Sequence, residues 1–300
     1  MRRSLTALWL IALMSNAFAG EFELPSLRGV SPYVPAPPSY TLWSGYYLGG
    51  QLGGSIAGMD FASSAGSLVS FAVRNSILDN QVSNWTTLSK GDTSAIGYGG
   101  FAGYNSQWDE VTLGIEANFT HSSLGKSASD TLSRSFLDNT GAPTGHEYTY
   151  NATVAASAAV KLTDFATFRA RAGWVSGNFM PYGFAGVAVG RADIARSATV
   201  TATRTDNFND PTVVGVDPTT GAPIILLVPR SITTKVPLPG TQAQSQTGAY
   251  ALGYTAGVGT DFLVTSNIFV RGEWEYVQFP NIKAIKININ TLRLGAGLKF

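Results

Sequence analysis

The chain contains no cysteine, which excludes disulfides, thiolate metal sites and thiol nucleophiles. It holds only two histidines, and charged side chains make up 13% of its 300 residues, about half the share of an ordinary soluble domain. A net charge of +1 supplies no electrostatic drive towards nucleic acid or an anionic membrane surface, so no nucleic-acid partner is expected. No apolar run approaches the ~20 residues of a membrane-spanning helix. What is abundant is glycine, at 33 residues, in a chain that is 44% hydrophobic.

The first nineteen residues differ from the rest. Arg2 and Arg3 make a positive start, an apolar stretch of about ten residues follows, and Ala17-Phe18-Ala19 has the form of an A-x-A processing site. Residues 1–19 therefore read as a signal peptide cleaved after Ala19. The missing thiols are compatible with export into an oxidising periplasm. Residues 20–42 carry Pro25, Pro32, Pro35, Pro37 and Pro38 without a periodic apolar face, and read as a stiff, extended periplasmic linker.

From Trp43 onward the dominant signal has period two, the signature of strands. Eight segments carry it: 44–56, 94–107, 111–120, 167–174, 181–194, 248–262, 268–276 and 291–300. Each is read as long enough for a tilted membrane strand, which needs about 9–11 residues. In the last, Leu292, Leu294, Ala296, Leu298 and Phe300 share one face, and Arg293, Gly295, Gly297 and Lys299 the other. Val111, Leu113, Ile115, Ala117 and Phe119 alternate with a face holding Glu116. Phe168, Ala170, Ala172 and Trp174 alternate with Arg169 and Arg171, and Ile268, Val270, Gly272, Trp274 and Tyr276 with Arg271, Glu273 and Glu275. Segments 94–107 and 181–194 are too rich in Gly and Ala for their faces to be assigned.

Alternation alone also suits a soluble barrel, with its charges outside. Here aromatics cluster near segment ends, with Trp43, Tyr46, Tyr104, Trp108, Trp174, Tyr182 and Phe300 on one rim and Tyr250, Tyr276 and Phe279 towards the other. That distribution is the interfacial girdle of a membrane barrel, whose apolar face meets lipid and whose lumen is polar. Short turns near 107–109, 176–178 and 265–267 alternate with longer connections: roughly 35–55 polar residues after the first, third and fifth segments and about ten after the seventh. The expected fold is all-β, an eight-stranded antiparallel up-and-down transmembrane barrel over 43–300, with short periplasmic turns and long extracellular loops.

Several strings then resemble a known family. Trp43-Ser-Gly-Tyr-Tyr-Leu-Gly-Gly is similar to the opening strand of the small outer-membrane immunogenic proteins, the porin-family barrels of Gram-negative bacteria with OmpA-type eight-stranded folds. Tyr98-Gly-Gly-Phe-Ala-Gly-Tyr-Asn, Leu113-Gly-Ile-Glu-Ala-Asn-Phe, Phe168-Arg-Ala-Arg-Ala-Gly-Trp, the 253–262 string and Arg271-Gly-Glu-Trp-Glu-Tyr follow in the same order. The resemblance covers the strands and none of the loops. It implies a cell-surface location in the outer membrane, with outer-membrane lipid and lipopolysaccharide as surroundings. A terminal Phe300 preceded by Leu292, Leu294 and Leu298 resembles the signal read by the outer-membrane insertion machinery.

Glu116, Arg169, Arg171, Arg271, Glu273, Glu275, Arg293 and Lys299 are assigned to the lumen, because an eight-stranded barrel leaves an interior that side chains just fill. Paired there, they plug it; left unpaired, they would line a narrow porin-like channel. Enzyme motifs fail. Gly97-x-Gly99-x-x-Ala102 lacks a following helix, and Gly125-Lys126-Ser127 lacks the first glycine of a phosphate loop. His121 and His146 have no metal-ligand spacing, and His121 beside Ser122 and Ser123 has no acid nearby in sequence to orient it. No cofactor and no catalytic residue is expected. The turn signal at 217–221, between Val213-Val214 and the apolar 224–228, suggests an outer hairpin that packs over the barrel mouth or offers an edge to an extracellular protein partner. Residues 67–78 suggest a short amphipathic helix in the first loop.

Overall fold

In a computed structural model of the chain, residues 42–300 are described, apart from 80, 83, 84, 86 and 87. The expected signal peptide and all of the expected linker except Leu42 lie outside the described residues. Among the described residues nine strands follow one another: β1 Gly45–Asp60, β2 Lys90–Trp108, β3 Val111–Leu137, β4 His146–Trp174, β5 Phe179–Val216, β6 Pro223–Lys235, β7 Thr241–Leu263, β8 Ile268–Ile282 and β9 Ile285–Lys299. A helix, α1 Gly66–Val73, lies between β1 and β2. All strand pairings are antiparallel. β1 pairs with both β2 and β9, while β5 pairs with both β4 and β7. Eight strands thus close into a ring, and β6 is added to the outer part of β5.

Within the ring the polarity of a strand's two faces inverts partway along, and β9 shows it most plainly. At 291–298 the outward residues are Leu292, Leu294, Ala296 and Leu298, whereas Thr291 and Arg293 turn inward and are buried. One turn of pattern earlier the assignment is reversed: Ile285, Ile287 and Ile289 are buried inside, and Lys286, Asn288 and Asn290 face out. β5 does the same, with Val187 and Val189 outside but Arg191 and Asp193 two and four residues on. Apolar side chains pointed outward around a closed ring are stable only in lipid, and apolar side chains pointed inward only beneath water. The barrel therefore has two tiers, a membrane tier and a water-exposed tier built like a soluble barrel.

The upper tier corrects the expected long loops. The connection after the third segment is mostly strand: β3 and β4 pair as far as Leu137↔Thr149, leaving only 138–145 as a turn. β3, β4 and β5 run to 27, 29 and 38 residues, where crossing the membrane takes about 9–11. The reason is low contrast. Ala152, Ala156 and Ala158 face the core while Thr153, Ala155 and Ser157 face away, so both faces read as small and polar. The ten-residue connection before the last segment likewise shrinks to Lys283 and Ala284. Both have positive φ (52° and 67°), as a two-residue hairpin turn requires.

Inside the upper tier, Met59, Phe61, Leu124, Val160, Leu162, Phe165, Val277, Phe279 and the three isoleucines of β9 form an apolar core. Above it, α1 presses Val69, Ala72 and Val73 onto Tyr148, Tyr150, Val154, Ala198 and Val200 of β4 and β5. The helix is shorter than the expected 67–78, though Leu78 beyond it is buried in the same cluster. The hairpin expected around 217–221 is present as β5 and β6. Asp217 accepts the Thr219 and Thr220 N–H groups at 2.8 and 3.3 Å; these backbone bonds hold its carboxyl below the usual carboxylate range.

The inversion on β9 makes a direct prediction. Leu294→Arg, on the lipid face, should destabilise the folded barrel by about 2–4 kcal/mol. Asn288→Arg, six residues away on the same face, should cost under about 1 kcal/mol. Urea unfolding of the refolded protein in vesicles measures both.

Candidate functional site

The lumen of the membrane tier is the most chemically dense part of the molecule. Alternation along β3, β4, β7, β8 and β9 directs one charged face inward, and the register sets opposite charges side by side. Glu116 stands across from Arg169, Asp261 from Arg271, and Glu273 from Arg293. Four arginines and four carboxylates, all at most 4% exposed, make a neutral set.

Bonds across the lumen knit these neighbours together. Arg169 reaches Glu116 at 2.5 Å on its own side, and Glu273 and Glu275 on β8 at 2.7 and 3.2 Å. Arg171 joins Glu116 at 3.1 Å and Asp261 at 2.7 Å. Arg271 joins the same two acids at 2.8 and 2.7 Å. Arg293 pairs with Glu275 and donates to Asn118 at 3.0 Å. Remaining lone pairs are met by hydroxyls: Tyr47 donates to Glu116 at 2.8 Å, Tyr182 to Glu273 at 2.9 Å and Thr255 to Glu275 at 2.8 Å. The guanidinium planes also lie over rings, Arg169 on Phe184 at 4.0 Å and Arg171 on Tyr182 at 3.8 Å, where cation–π attraction is strengthened by the loss of water.

Glycine makes the room. A Cβ on Gly49 would overlap the Phe101 ring, and one on Gly257 the Phe184 ring. Below the charges, Trp43, Tyr47, Phe101, Met180, Tyr182 and Phe269 form an apolar floor at the end with the short turns. Above them begins the apolar core of the upper tier. The interior is thus a stack of aromatic floor, ionic layer, aliphatic plug and helical cap.

Seven of the eight expected lumen charges meet in this layer. Lys299 does not: it sits partly exposed at the inner mouth, and its ammonium donates to the Leu42 carbonyl. Asp261 joins the layer from outside the expected set; it follows Thr255, Gly257 and Gly259 at alternate positions of one strand, where small residues leave the face unmarked. Of the expected girdle, Tyr46, Tyr104, Trp108 and Trp174 are exposed on the outer wall, and Tyr276 is partly covered there. Trp43 and Tyr182 are corrections: both turn inward, Trp43 against the Phe269 ring at 6.1 Å and Tyr182 into the ionic layer. Trp43 precedes the alternating part of β1, and Tyr182 lies in a segment whose Gly and Ala hid its faces. Phe279 is likewise inside, in the plug. Leu292, Leu294, Leu298 and Phe300 point outward.

The histidines gain partners that sequence proximity did not show. His121 meets Asp164 of β4 at 2.6 Å, and His146 meets Asp206 of β5 at 2.8 Å. Yet Ser122 is buried on the inner face while His121 lies on the outer one, so this hydroxyl and the imidazole diverge. Among the described residues no cluster of His, Asp and Glu could hold a metal.

Two outcomes follow. Glu116 serves three arginines, so Glu116→Ala leaves buried cations without their shared acid and should destabilise the barrel by about 3–5 kcal/mol, read as a lowered urea midpoint. Arg196 donates to the Ser64 and Lys283 carbonyls at 3.0 and 2.9 Å and to Gln244, tying the first outer loop to the β8–β9 turn. Arg196→Ala should make that loop, 61–89, the first site of limited proteolysis while the strands remain intact.

No curated protein sequence matches the chain. Solved structures with similar folds include Ail, the attachment invasion locus protein of Yersinia pestis, in complex with the heparin analogue sucrose octasulfate. It is 12% identical, with 85% of this chain and 99% of that one covered and a TM-score of 0.33. Neisserial surface protein A is 13% identical, with 86% and 98% covered and a TM-score of 0.33. The N-terminal β-barrel domain of Pseudomonas aeruginosa OprF is 12% identical, with 83% and 97% covered and a TM-score of 0.25. The model of the outer membrane protein β-barrel domain matches residues 8–300. With that match over nearly its whole length, the chain belongs to the outer membrane protein β-barrel domain family.

Proposed function

We propose that this protein is a closed outer-membrane barrel with a structural and surface-presenting role, rather than a pore or an enzyme. The observation that carries this reading is the filled interior. An ion entering from outside would have to displace α1, then an aliphatic plug, then a neutral network in which each charge already has a partner. Breaking any one of those pairs strands a buried charge. What such a barrel offers its surroundings is its outer tier and the β5–β6 hairpin, while its lipid-facing belt sits among outer-membrane lipid and lipopolysaccharide. The outward row of Leu292, Leu294, Leu298 and Phe300 on the closing strand suits recognition by the insertion machinery during assembly. A signal peptide removed after Ala19 would bring the chain to that machinery.

Conductance tests the reading. Refolded protein in planar bilayers, with folding checked by heat-modifiable gel mobility, should be electrically silent. Steady, discrete channels whose conductance changes in Arg169→Ala and Glu116→Ala would overturn it and make the ionic layer the lining of a pore.

A further inference from the structure

The outer hairpin carries a pattern that the barrel does not need. Pairing of β5 with β4 ends at His146↔Phe208, and from there outward β5 is bonded only to β6. Between 211 and 229 the sole charge is Asp217; Asp210 and Arg230 just below pair with each other at 2.6 Å. Val213, Val214, Val216 and the run from Ile224 to Leu227 are each about half exposed or more. Because neighbours in a strand point to opposite faces, both faces of this ribbon are apolar. A partner resting on one face would leave the other in water. Insertion into a lipid core is opposed by the two open edges, whose backbone groups would have no partners there. An edge partner meets both difficulties, since an added strand bonds the open groups and places side chains beside both faces.

The prolines indicate which partner. Pro211 stands opposite Leu227, and a residue without an N–H occupies a ladder position whose donor points away from the ladder. By the alternation of an antiparallel ladder, Leu227, Ile225, Pro223 and Pro229 all turn their backbone groups to the free edge. Between the two prolines that edge presents just two donors, Ile225 and Leu227. They are symmetric about Leu226. Laid antiparallel on an identical strand, Ile225 bonds Leu227 of the other copy and Leu227 bonds Ile225, giving four hydrogen bonds. Ile224 then stands beside Val228, and proline beside proline closes each end. The edge is complementary to itself, the condition for a two-fold contact.

We infer that residues 224–228 of β6 pair edge to edge with the same residues of a second copy. β5 runs unbroken from Phe179, at the end with the short turns, to the hairpin tip, so the tip points away from the membrane. Two such strands become antiparallel when the copies approach from facing membranes. The contact is homophilic and bridges two outer-membrane surfaces. One pair is small, below the ~1,000 Å² of a stable interface, but many copies on opposed surfaces multiply weak contacts into adhesion. This inference rests on the surface-presenting reading above.

Vesicles bearing the refolded protein, loaded with a small dye, test both together. Wild-type vesicles should cluster, seen as a rise in scattering, without leaking. Leu226→Lys and Leu226→Asp each set a charge against its own copy at the two-fold axis, so clustering should fall at least tenfold in each. Mixing the two populations should restore it. Ile225→Pro with Leu227→Pro, which deletes the free-edge donors and adds no charge, should also abolish it. Dispersed wild-type vesicles, mixed Lys and Asp populations that stay apart, or attachment of wild-type vesicles to protein-free lipid vesicles would each overturn the pairing. Dye leakage would count against the closed-barrel reading instead, so the two failures are distinguishable.

Discussion

The ionic layer is the constraint around which the membrane tier is organised. A closed ring of eight strands in lipid must turn its apolar side chains outward, and the interior left behind is too narrow for water to solvate separate charges. Glu116, Arg169, Arg171, Asp261, Arg271, Glu273, Glu275 and Arg293 meet that constraint by solvating one another. Burying so many charges costs much of what their attraction returns, so the layer is better regarded as a seal with a single workable arrangement than as a source of stability. Its geometry then dictates the glycines, which clear space for the rings packed against it.

A second constraint is the change of solvent partway along the strands. Backbone pairing continues across that level, as the uninterrupted β5 shows, because hydrogen bonds between strands are equally needed in lipid and in water. Side chains cannot ignore it. On β9 the inward row changes from Ile285, Ile287 and Ile289 to Thr291 and Arg293 with its alternation unbroken, and β3 and β4 shift register between His121 and Leu124 and between Leu162 and Asp164. The bulge and the inversion let one strand serve a polar-lined barrel below and an apolar-cored barrel above.

Both constraints bear on function through what they close. The interior is occupied from floor to cap, and Arg196 fastens the cap from the side. On the proposed closed-barrel reading, the outer surface is what remains for other molecules to meet. There the tip of the β5–β6 hairpin is apolar on both faces, and the prolines at 211, 223 and 229 restrict how its edge can be used.

Much of the membrane tier was legible from the chain. Where large apolar residues alternate with charge, as in Leu292 to Leu298 against Arg293, local pattern decides which face meets lipid, because a strand has only two faces. The sealed charges were legible for the same reason, except Asp261, which followed glycines too featureless to mark a face. The upper tier was not legible. Its strands alternate Ala with Ser or Thr, and whether such residues face a core depends on what lies across the barrel from them. Trp43 and Tyr182 show the same limit, since an aromatic near a strand end suits a lipid interface and a packed floor equally well. The sequence by itself determined the strand period, the lipid face and the charges that must be hidden from lipid. Only the closed tertiary ring decided which acid meets which arginine, and that the supposed loops continue as walls. Those outcomes depend on distances across a lumen that brings together residues as remote in the chain as Asn118 and Arg293, 175 positions apart.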